Sequence, residues 1–480
     1  MSEQLQESID PIGEGSEFDH GYRNLLHAVD IVEGDNPYSD SIADHGMVDA
    51  DMRKHDLPPP GVYADKGGDA ADIISKQDLF ELATRLRNIL NTNPTIDEDR
   101  KGVLLREIGV AELRLRYSLG GNATPAFNET WRMVTGKDAP ELGQFKGEID
   151  ATRDHMLALL AQEGVHVTNP KTMSDNVRAW EHSKPHLGSG DDARIKEIIT
   201  DAVTQFIDRA KKVIAERVPA LRNVVSQIDT SAYTLNVLPE MSFDAGLSYI
   251  GSTNTKPATG AANFEWNAGR PATETDIRYV AEHEATHWLN AFCMDIQRRA
   301  GKLGPESALL TMSSPRAVNE EGLAQVMKEM LHGGTLQNVV DDCGPEMGIV
   351  MLQDRLQDIA RMVAAVGWNQ EFAGIEDGFQ RRMTIRDYIE KRLLQTEHIG
   401  FKYGGKRDPD ATPREQKKFW RQLPGGMCYA PAYYEGSRAY RTAINTAGVD
   451  ATLAVGMHSE GLVDGQAFKD KIDRKVREAA

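Results

Sequence analysis

The stretch Ile277-Arg-Tyr-Val-Ala-Glu-His-Glu-Ala-Thr-His-Trp-Leu-Asn290 is the most informative segment of the sequence, because it contains His283-Glu-Ala-Thr-His287. Residues four positions apart share one face of an α-helix, so the two imidazoles can reach a single metal ion. Between them, Glu284 can point at a water molecule beside that ion. The spacing therefore predicts a zinc-type site on one helix, with Glu284 as a general base.

The residues around this motif favour a helix. Apolar residues recur at helical spacing on both sides, and we expect the helix to begin at Thr273 or Thr275 and to end near Gly301. The alternative is an ordinary helix that carries two histidines by chance. A third ligand on a neighbouring element decides between the two interpretations.

The next helix offers that third ligand. Ser314-Pro315 is a typical helix start, and the helix should run to His332 before the glycine that follows it. Glu320 and Glu321 compete as the ligand, and two glutamates on a solvated helix face are the ordinary alternative. A catalytic zinc site uses three protein ligands and leaves the fourth position for water.

Helical phase and local composition disagree about which glutamate is the ligand. Phase puts Glu320 nearer the apolar stripe that includes Leu323, and so favours it as the inward residue. A ligand should face a cleft rather than the core, however, and Glu321 is followed by the small residues Gly322 and Ala324, which allow close approach to the metal helix. We predict Glu321.

The motif followed by Asn319-Glu-Glu-Gly-Leu-Ala324 resembles the gluzincin metallopeptidases, in particular carboxypeptidase-like bacterial members and the tubulin tyrosine carboxypeptidase-like group. Weaker similarity extends over roughly residues 230–440. The resemblance implies one Zn²⁺ per chain, held by His283, His287 and Glu321, with Glu284 as the catalytic base.

The resemblance also implies a strand above the zinc that holds the substrate backbone by strand addition. Asn263-Phe-Glu-Trp-Asn267 lies just before the metal helix, so Asn263, Trp266 and Asn267 are predicted to bind substrate. The alternative is an ordinary strand of a sheet.

A second group of candidates lies near the C-terminus. Tyr434 and Arg438 fall on one helical face. The Tyr434 hydroxyl is expected to stabilise an oxyanion, and Arg438 to bind a substrate carboxylate. A helix that packs its tyrosines on the core and leaves its arginines solvated explains the same pattern.

The chain is predicted to be mainly α with a small antiparallel sheet, an α+β protein. Helical periodicity dominates, and strand-like texture is confined to Tyr233–Trp266. We predict a loop-rich N-terminal arm over 1–70, a helical region over 71–190 and a catalytic region over 191–480.

Composition narrows the location and the partners. The 480 residues include 55 Lys and Arg against 73 Asp and Glu, a formal net charge of −18, which disfavours nucleic acid and anionic membrane surfaces as partners. The 3 cysteines are too few and too far apart for a disulfide framework. With no apolar leader at the acidic N-terminus, the sequence predicts a cytoplasmic protein.

These observations predict zinc-dependent hydrolysis of peptide bonds, carboxypeptidase-like, on short peptides or flexible protein tails. One alternative is a catalytically silent scaffold or binding protein in which zinc only ties two helices together. Another is a hydrolase of non-peptide amides. Glu284 argues against the scaffold, because a structural zinc site has no use for that carboxylate.

Overall fold

The computed structural model describes residues 12–13, 16–19, 21–22, 25–26, 76–119, 127–167, 173–239, 245–251, 261–308, 314–389 and 430–479. Most of the predicted arm over 1–70 lies outside these ranges. Its described residues are largely helical, and Phe18 and Tyr22 are buried in a cluster with Leu86.

Helices account for 74% of the described residues, which confirms the mainly α prediction. In chain order they are α1 Lys76–Thr92, α2 Glu98–Leu119, α3 Phe127–Thr135, α4 Phe145–Gln162, α5 Met173–His182, α6 Asp192–Arg217, α7 Arg222–Val225, α8 Glu274–Arg299, α9 Pro315–Leu331, α10 Leu336–Cys343, α11 Pro345–Val366, α12 Gly378–Asp387, α13 Ala430–Gly456 and α14 Gly465–Ala479. Helix α13 contains a break at Gly448, where φ is 84°.

Among the described residues, five short strands form two small sheets. They are β1 His186–Leu187, β2 Tyr233–Leu238, β3 Ala245–Gly251, β4 Ala261–Asn267 and β5 Ala272–Thr273. The larger sheet has the order β2-β4-β3, in which β4 pairs parallel with β2 and antiparallel with β3. The predicted antiparallel sheet is therefore wrong for the β2–β4 pair, because strand texture alone does not fix the direction of a neighbour.

Two large hydrophobic clusters hold the helices together. The first joins α6, α8, α9, α13 and α14 to the three-stranded sheet and includes the fully buried Trp288. The second combines Phe145 of α4 and Leu356 of α11 with Tyr434 of α13. The second cluster draws side chains from both sides of the predicted boundary at residue 190, so the two regions share a core.

Helix α9 is buried on every side. All of its residues from Pro315 to Leu331 are buried, including Glu320 and Glu321. Such a helix has no solvent face, so its apolar stripe cannot show which glutamate points at a cleft. The helical-phase argument for Glu320 therefore has no basis in this fold.

The crossing of α9 and α13 depends on two glycines. A Cβ on Gly322 would lie 2.7 Å from Gly436 Cα and 2.5 Å from its carbonyl carbon, closer than real side chains come to backbone. The small residue after Glu321 therefore allows α9 to approach α13, and not the metal helix as the sequence suggested.

Gly322→Ala tests this crossing. Because both contacting atoms are backbone, the helices must separate, and the free energy of unfolding should fall by about 1–3 kcal/mol. Urea denaturation followed by circular dichroism measures it. Gly147→Ala is the matched control, since Gly147 is exposed on α4 and its added Cβ meets nothing within 4 Å. The control should be neutral or slightly stabilising; equal losses in both variants would contradict the tight crossing.

Candidate metal centre

Helix α8 begins with a well-formed cap. The Thr273 side chain accepts a hydrogen bond from the Asp276 backbone N–H at 3.2 Å, and the Thr273 backbone N–H donates to Asp276 Oδ2 at 3.1 Å. This reciprocal pair satisfies backbone donors that the first turn leaves open. It confirms Thr273 as the start of the helix and fixes the register of the histidines that follow.

The three predicted ligands converge at one point. His283 Nε2 lies 3.2 Å from His287 Nε2, and Glu321 Oε2 lies 3.4 Å from the first and 3.5 Å from the second. Among the described residues, this is the one group of three side chains that could hold a metal ion. Helices α8 and α9 thus bring together the residues that the sequence predicted.

The size of this triangle matches zinc. Ligands at the ~2.0–2.1 Å typical of Zn²⁺ in a tetrahedral site are roughly 3.3–3.4 Å apart. The observed separations of 3.2, 3.4 and 3.5 Å fit three corners of such a tetrahedron. The donor set of two imidazoles and one carboxylate fits zinc as well.

Burial strengthens the electrostatic interactions among the three predicted ligands. Glu321 is only 3% exposed. Burial alone would raise the pKa of its carboxyl, but the imidazoles of His287 and His283 hold that pKa well below its usual value. Burial lowers the pKa of His287, yet the Glu321 carboxylate outweighs it and raises that pKa to about 9. The buried carboxylate therefore needs a cation beside it, supplied by a proton or a metal.

Glu320 points into a different network. Asn290 Nδ2 donates to Glu320 Oε2 at 2.6 Å, and His458 Nε2 lies 3.0 Å from Glu320 Oε1. The Val463 backbone N–H donates to His458 Nδ1 at 3.1 Å, which assigns the ring proton to Nε2. Glu320 thus connects α8, α9 and the segment that follows α13.

Glu284 lies between the histidines and the sheet. Burial raises the pKa of its carboxyl, although the nearby His283 and His287 oppose this shift. The backbone N–H of Leu247 on β3 donates to this carboxylate. The base predicted from the motif is therefore held against an edge strand.

The predicted substrate strand is the central strand of the larger sheet. Asn263, Trp266 and Asn267 lie on β4, which is hydrogen-bonded to a strand on each side and so cannot take another. Trp266 and Asn267 are buried, and Asn263 Oδ1 accepts from Thr234 and Asn236 side chains of β2. Within the described residues, β3 is the edge strand beside the metal helix, and sequence texture did not distinguish it from β4.

The predicted Tyr434 side chain is buried in the second hydrophobic cluster. Its hydroxyl donates to Glu148 Oε2 at 2.8 Å and its ring packs on Phe145, in the second hydrophobic cluster. Burial and Glu148 raise the pKa of this hydroxyl. The neighbouring Tyr433 faces the metal centre instead, with its ring 6.2 Å from the His283 ring and 20° from parallel to it.

Arg438 is exposed to solvent, so the carboxylate-binding site predicted for it has no buried wall there. Arg361 of α11 lies on the metal side instead, with its guanidinium carbon 5.6 Å from the Tyr433 ring centroid. Sequence reasoning missed both Tyr433 and Arg361. For Tyr433 the error was one residue of helical phase.

Comparisons with known proteins identify no family. No family model matches the chain, and no curated protein does. One similar solved structure is described as a "putative lipoprotein" from Colwellia psychrerythraea, with 12% identity, TM-score 0.45, and 89% of this chain and 72% of that chain covered. Another, from Shewanella oneidensis, carries a similar description with unknown function, at 13% identity, TM-score 0.40, and coverage of 82% and 71%.

These findings correct two predictions. Membership of the gluzincin family is not supported: no family model matches the chain, and neither similar structure is described as a metallopeptidase. The predicted cytoplasmic location finds no support in these comparisons, in which both similar structures are described as putative lipoproteins. Among the described residues, no helix combines the length and apolar character needed to cross a membrane.

Substitutions of the two adjacent glutamates, Glu320 and Glu321, should affect zinc binding differently. Glu321→Ala should weaken zinc binding by more than the roughly 10–100-fold typical of changes outside the ligand set, because it removes one of three ligands. Glu320→Ala should stay within that range, and it should cost about 1–3 kcal/mol of stability because Asn290 and His458 lose their acceptor. Metal titration and urea denaturation of both variants measure this; a larger zinc loss in Glu320→Ala would contradict the assigned ligand.

Proposed function

We propose that the protein is a zinc-dependent hydrolase of peptide bonds, with His283, His287 and Glu321 as metal ligands and Glu284 as general base. The observation that carries the proposal is the triangle of donor atoms, with Glu284 held beside it at the edge strand. Three ligands leave one tetrahedral position open, as a catalytic site requires. The proposal rests on this geometry and on no family relationship.

Zinc bound at this centre would lower the pKa of a water molecule toward about 7 and polarise the scissile carbonyl. Glu284 accepts the proton of the attacking water, and it later delivers that proton to the leaving amine. Burial supports this role, since it raises the pKa of Glu284 toward the range in which a carboxylate can both accept and release a proton.

Strand β3 supplies a place for an extended substrate. Leu247 lies opposite Phe264 in the antiparallel β3–β4 pair, but its N–H donates to Glu284. In an antiparallel pair, a residue that does not bond inward directs both backbone groups to the outer edge, so Leu247 offers its carbonyl there while its N–H is held by Glu284. A peptide added along this edge would pass the Glu284 carboxylate, which favours a peptide or protein-tail substrate.

We assign Tyr433 the role first predicted for Tyr434. Its stacking on His283 places it on the metal side of α13. A phenol there donates a hydrogen bond to the oxyanion that develops on the scissile carbonyl, an interaction that is stronger in the transition state than in the ground state.

Glu284→Gln separates hydrolysis from a scaffold role. The variant keeps the size of the side chain and all three ligands, so zinc content and melting temperature should be unchanged. Hydrolysis should fall by at least roughly 10²–10⁴-fold, the usual contribution of general acid–base catalysis. Mass spectrometry of a defined peptide mixture incubated with zinc-loaded protein measures the rate.

Glu274→Gln is the matched control. Glu274 is the first residue of the same helix, and its partly exposed side chain accepts hydrogen bonds from Arg194 and Arg278. It should retain the parent rate. Full activity in Glu284→Gln would remove Glu284 as the base. If the zinc-loaded parent cleaves neither peptides nor simple amides, that result would favour the scaffold in which zinc only ties two helices together.

A further inference from the structure

Helix α12 carries large apolar side chains on its outer surface. Among the described residues, Phe379 and Met383 are the two large hydrophobic side chains that are exposed to solvent, Phe379 to 71%. They lie four positions apart, so they share one face of the helix. An isolated apolar residue on a surface needs no explanation, but a neighbouring pair marks a face that could contact a partner.

The opposite face of α12 attaches the helix firmly to the protein. Ile385 is completely buried in the second hydrophobic cluster. The Asp377 side chain caps the helix by accepting a hydrogen bond from the Gln380 backbone N–H at 2.7 Å. The exposed pair therefore belongs to a well-anchored helix whose apolar outer face is directed at solvent.

Two arginines of α12 flank an indole ring and have no acidic partner. The guanidinium carbons of Arg381 and Arg382 lie 4.7 and 5.8 Å from the centroid of Trp368. Neither Nε atom has a hydrogen-bond partner, and neither guanidinium forms an ion pair with a carboxylate of the described residues. Burial lowers the pKa of Arg381, and no carboxylate opposes that shift. The indole holds these charges in place without neutralising them.

Other solvent-exposed arginines of this acidic protein are paired. Arg194 binds Glu274 at 2.8 Å, and Arg474 binds Asp99 at 2.9 Å. In a chain with a formal net charge of −18, carboxylates are in excess, and a pair of arginines without one is an exception. The positive charge on α12 is therefore available to an anionic partner.

The basic character continues in the sequence beyond α12. Residues 378–421 contain 12 Lys and Arg against 6 Asp and Glu, a formal net charge of +6. This sign is opposite to that of the whole chain. The net charge that disfavours anionic membrane surfaces for the protein as a whole does not apply to this segment.

We propose that α12 docks the protein reversibly on an anionic lipid surface. Phe379 and Met383 would enter the boundary between headgroups and acyl chains, while Arg381 and Arg382 reach the lipid phosphates. A lipid surface is favoured over a nucleic acid because it offers an apolar layer directly beneath its anionic groups. A protruding helix face also needs no complementary groove there. This inference is independent of the metal centre.

Vesicle binding tests the docking surface. Full-length protein is sedimented with vesicles of phosphatidylcholine alone, or of phosphatidylcholine and phosphatidylglycerol in a roughly 2:1 ratio. The parent should partition at least roughly tenfold more strongly onto the anionic vesicles. High salt should remove most of this excess, because the Debye length falls from ~10 Å at 0.1 M to ~3 Å at 1 M.

The arginines are tested by paired substitutions. Arg381→Gln/Arg382→Gln should weaken binding to anionic vesicles by about fivefold for each charge removed. Arg381→Lys/Arg382→Lys should keep most of the binding, since attraction to headgroups requires the charge more than the planar fork. The matched control, Arg194→Gln/Arg474→Gln, removes the same charge from paired positions on α6 and α14 and should bind like the parent.

The apolar face is tested by Phe379→Ser/Met383→Ser. Since both side chains are exposed, the melting temperature should match that of the parent, while binding to anionic vesicles should fall by at least about tenfold. Undiminished binding of this variant, equal losses in the α12 and control arginine variants, or no preference of the parent for anionic vesicles would overturn the proposal. Tighter binding to single-stranded DNA that survives Phe379→Ser/Met383→Ser would also overturn it and identify a nucleic acid as the partner.

Discussion

The buried carboxylate of Glu321 is the constraint on which the rest of the site depends. It is enclosed between α8 and α9, with two imidazole nitrogens within 3.5 Å. A carboxylate removed from water needs a compensating positive charge, and the two imidazoles hold the pKa of Glu321 below its usual value while Glu321 raises the pKa of His287. Zinc satisfies the same requirement with a geometry that the three donor atoms already have.

Helix α13, in the C-terminal part of the chain, packs against the candidate metal centre. Its Gly436 allows backbone contact with α9 directly after Glu321. Tyr433 from the same turn lies against His283, and Tyr434 is anchored to Glu148 in the second hydrophobic cluster. Helix α13 therefore connects the two hydrophobic clusters. A substitution at the glycine crossing should displace Glu321, the proposed metal ligand next to it.

The sequence predicted those parts of the site that depend on spacing within one helix. His283, Glu284 and His287 follow from the i, i+4 rule, and the structure brings Glu321 to them. Two other predictions depend on tertiary context, and the structure places their residues elsewhere. Strand texture cannot distinguish an edge strand from a central one, so β4 was chosen instead of β3. One step of helical phase separates Tyr433 from Tyr434.

The guanidinium of Arg361 on α11 lies over the Tyr433 ring, a contact between helices that spacing within one helix cannot predict. The family resemblance failed for a related reason. A short motif and one following glutamate define a coordination geometry, and they do not define the surrounding fold.

Diffraction at the zinc absorption edge tests the central claim most directly. Crystals of zinc-replete protein should show one strong anomalous peak per chain, ~2.0–2.2 Å from His283 Nε2, His287 Nε2 and Glu321 Oε2, with a fourth position open to solvent. A peak at another location, a fourth protein ligand that closes the site, or no peak from zinc-replete protein would contradict the account.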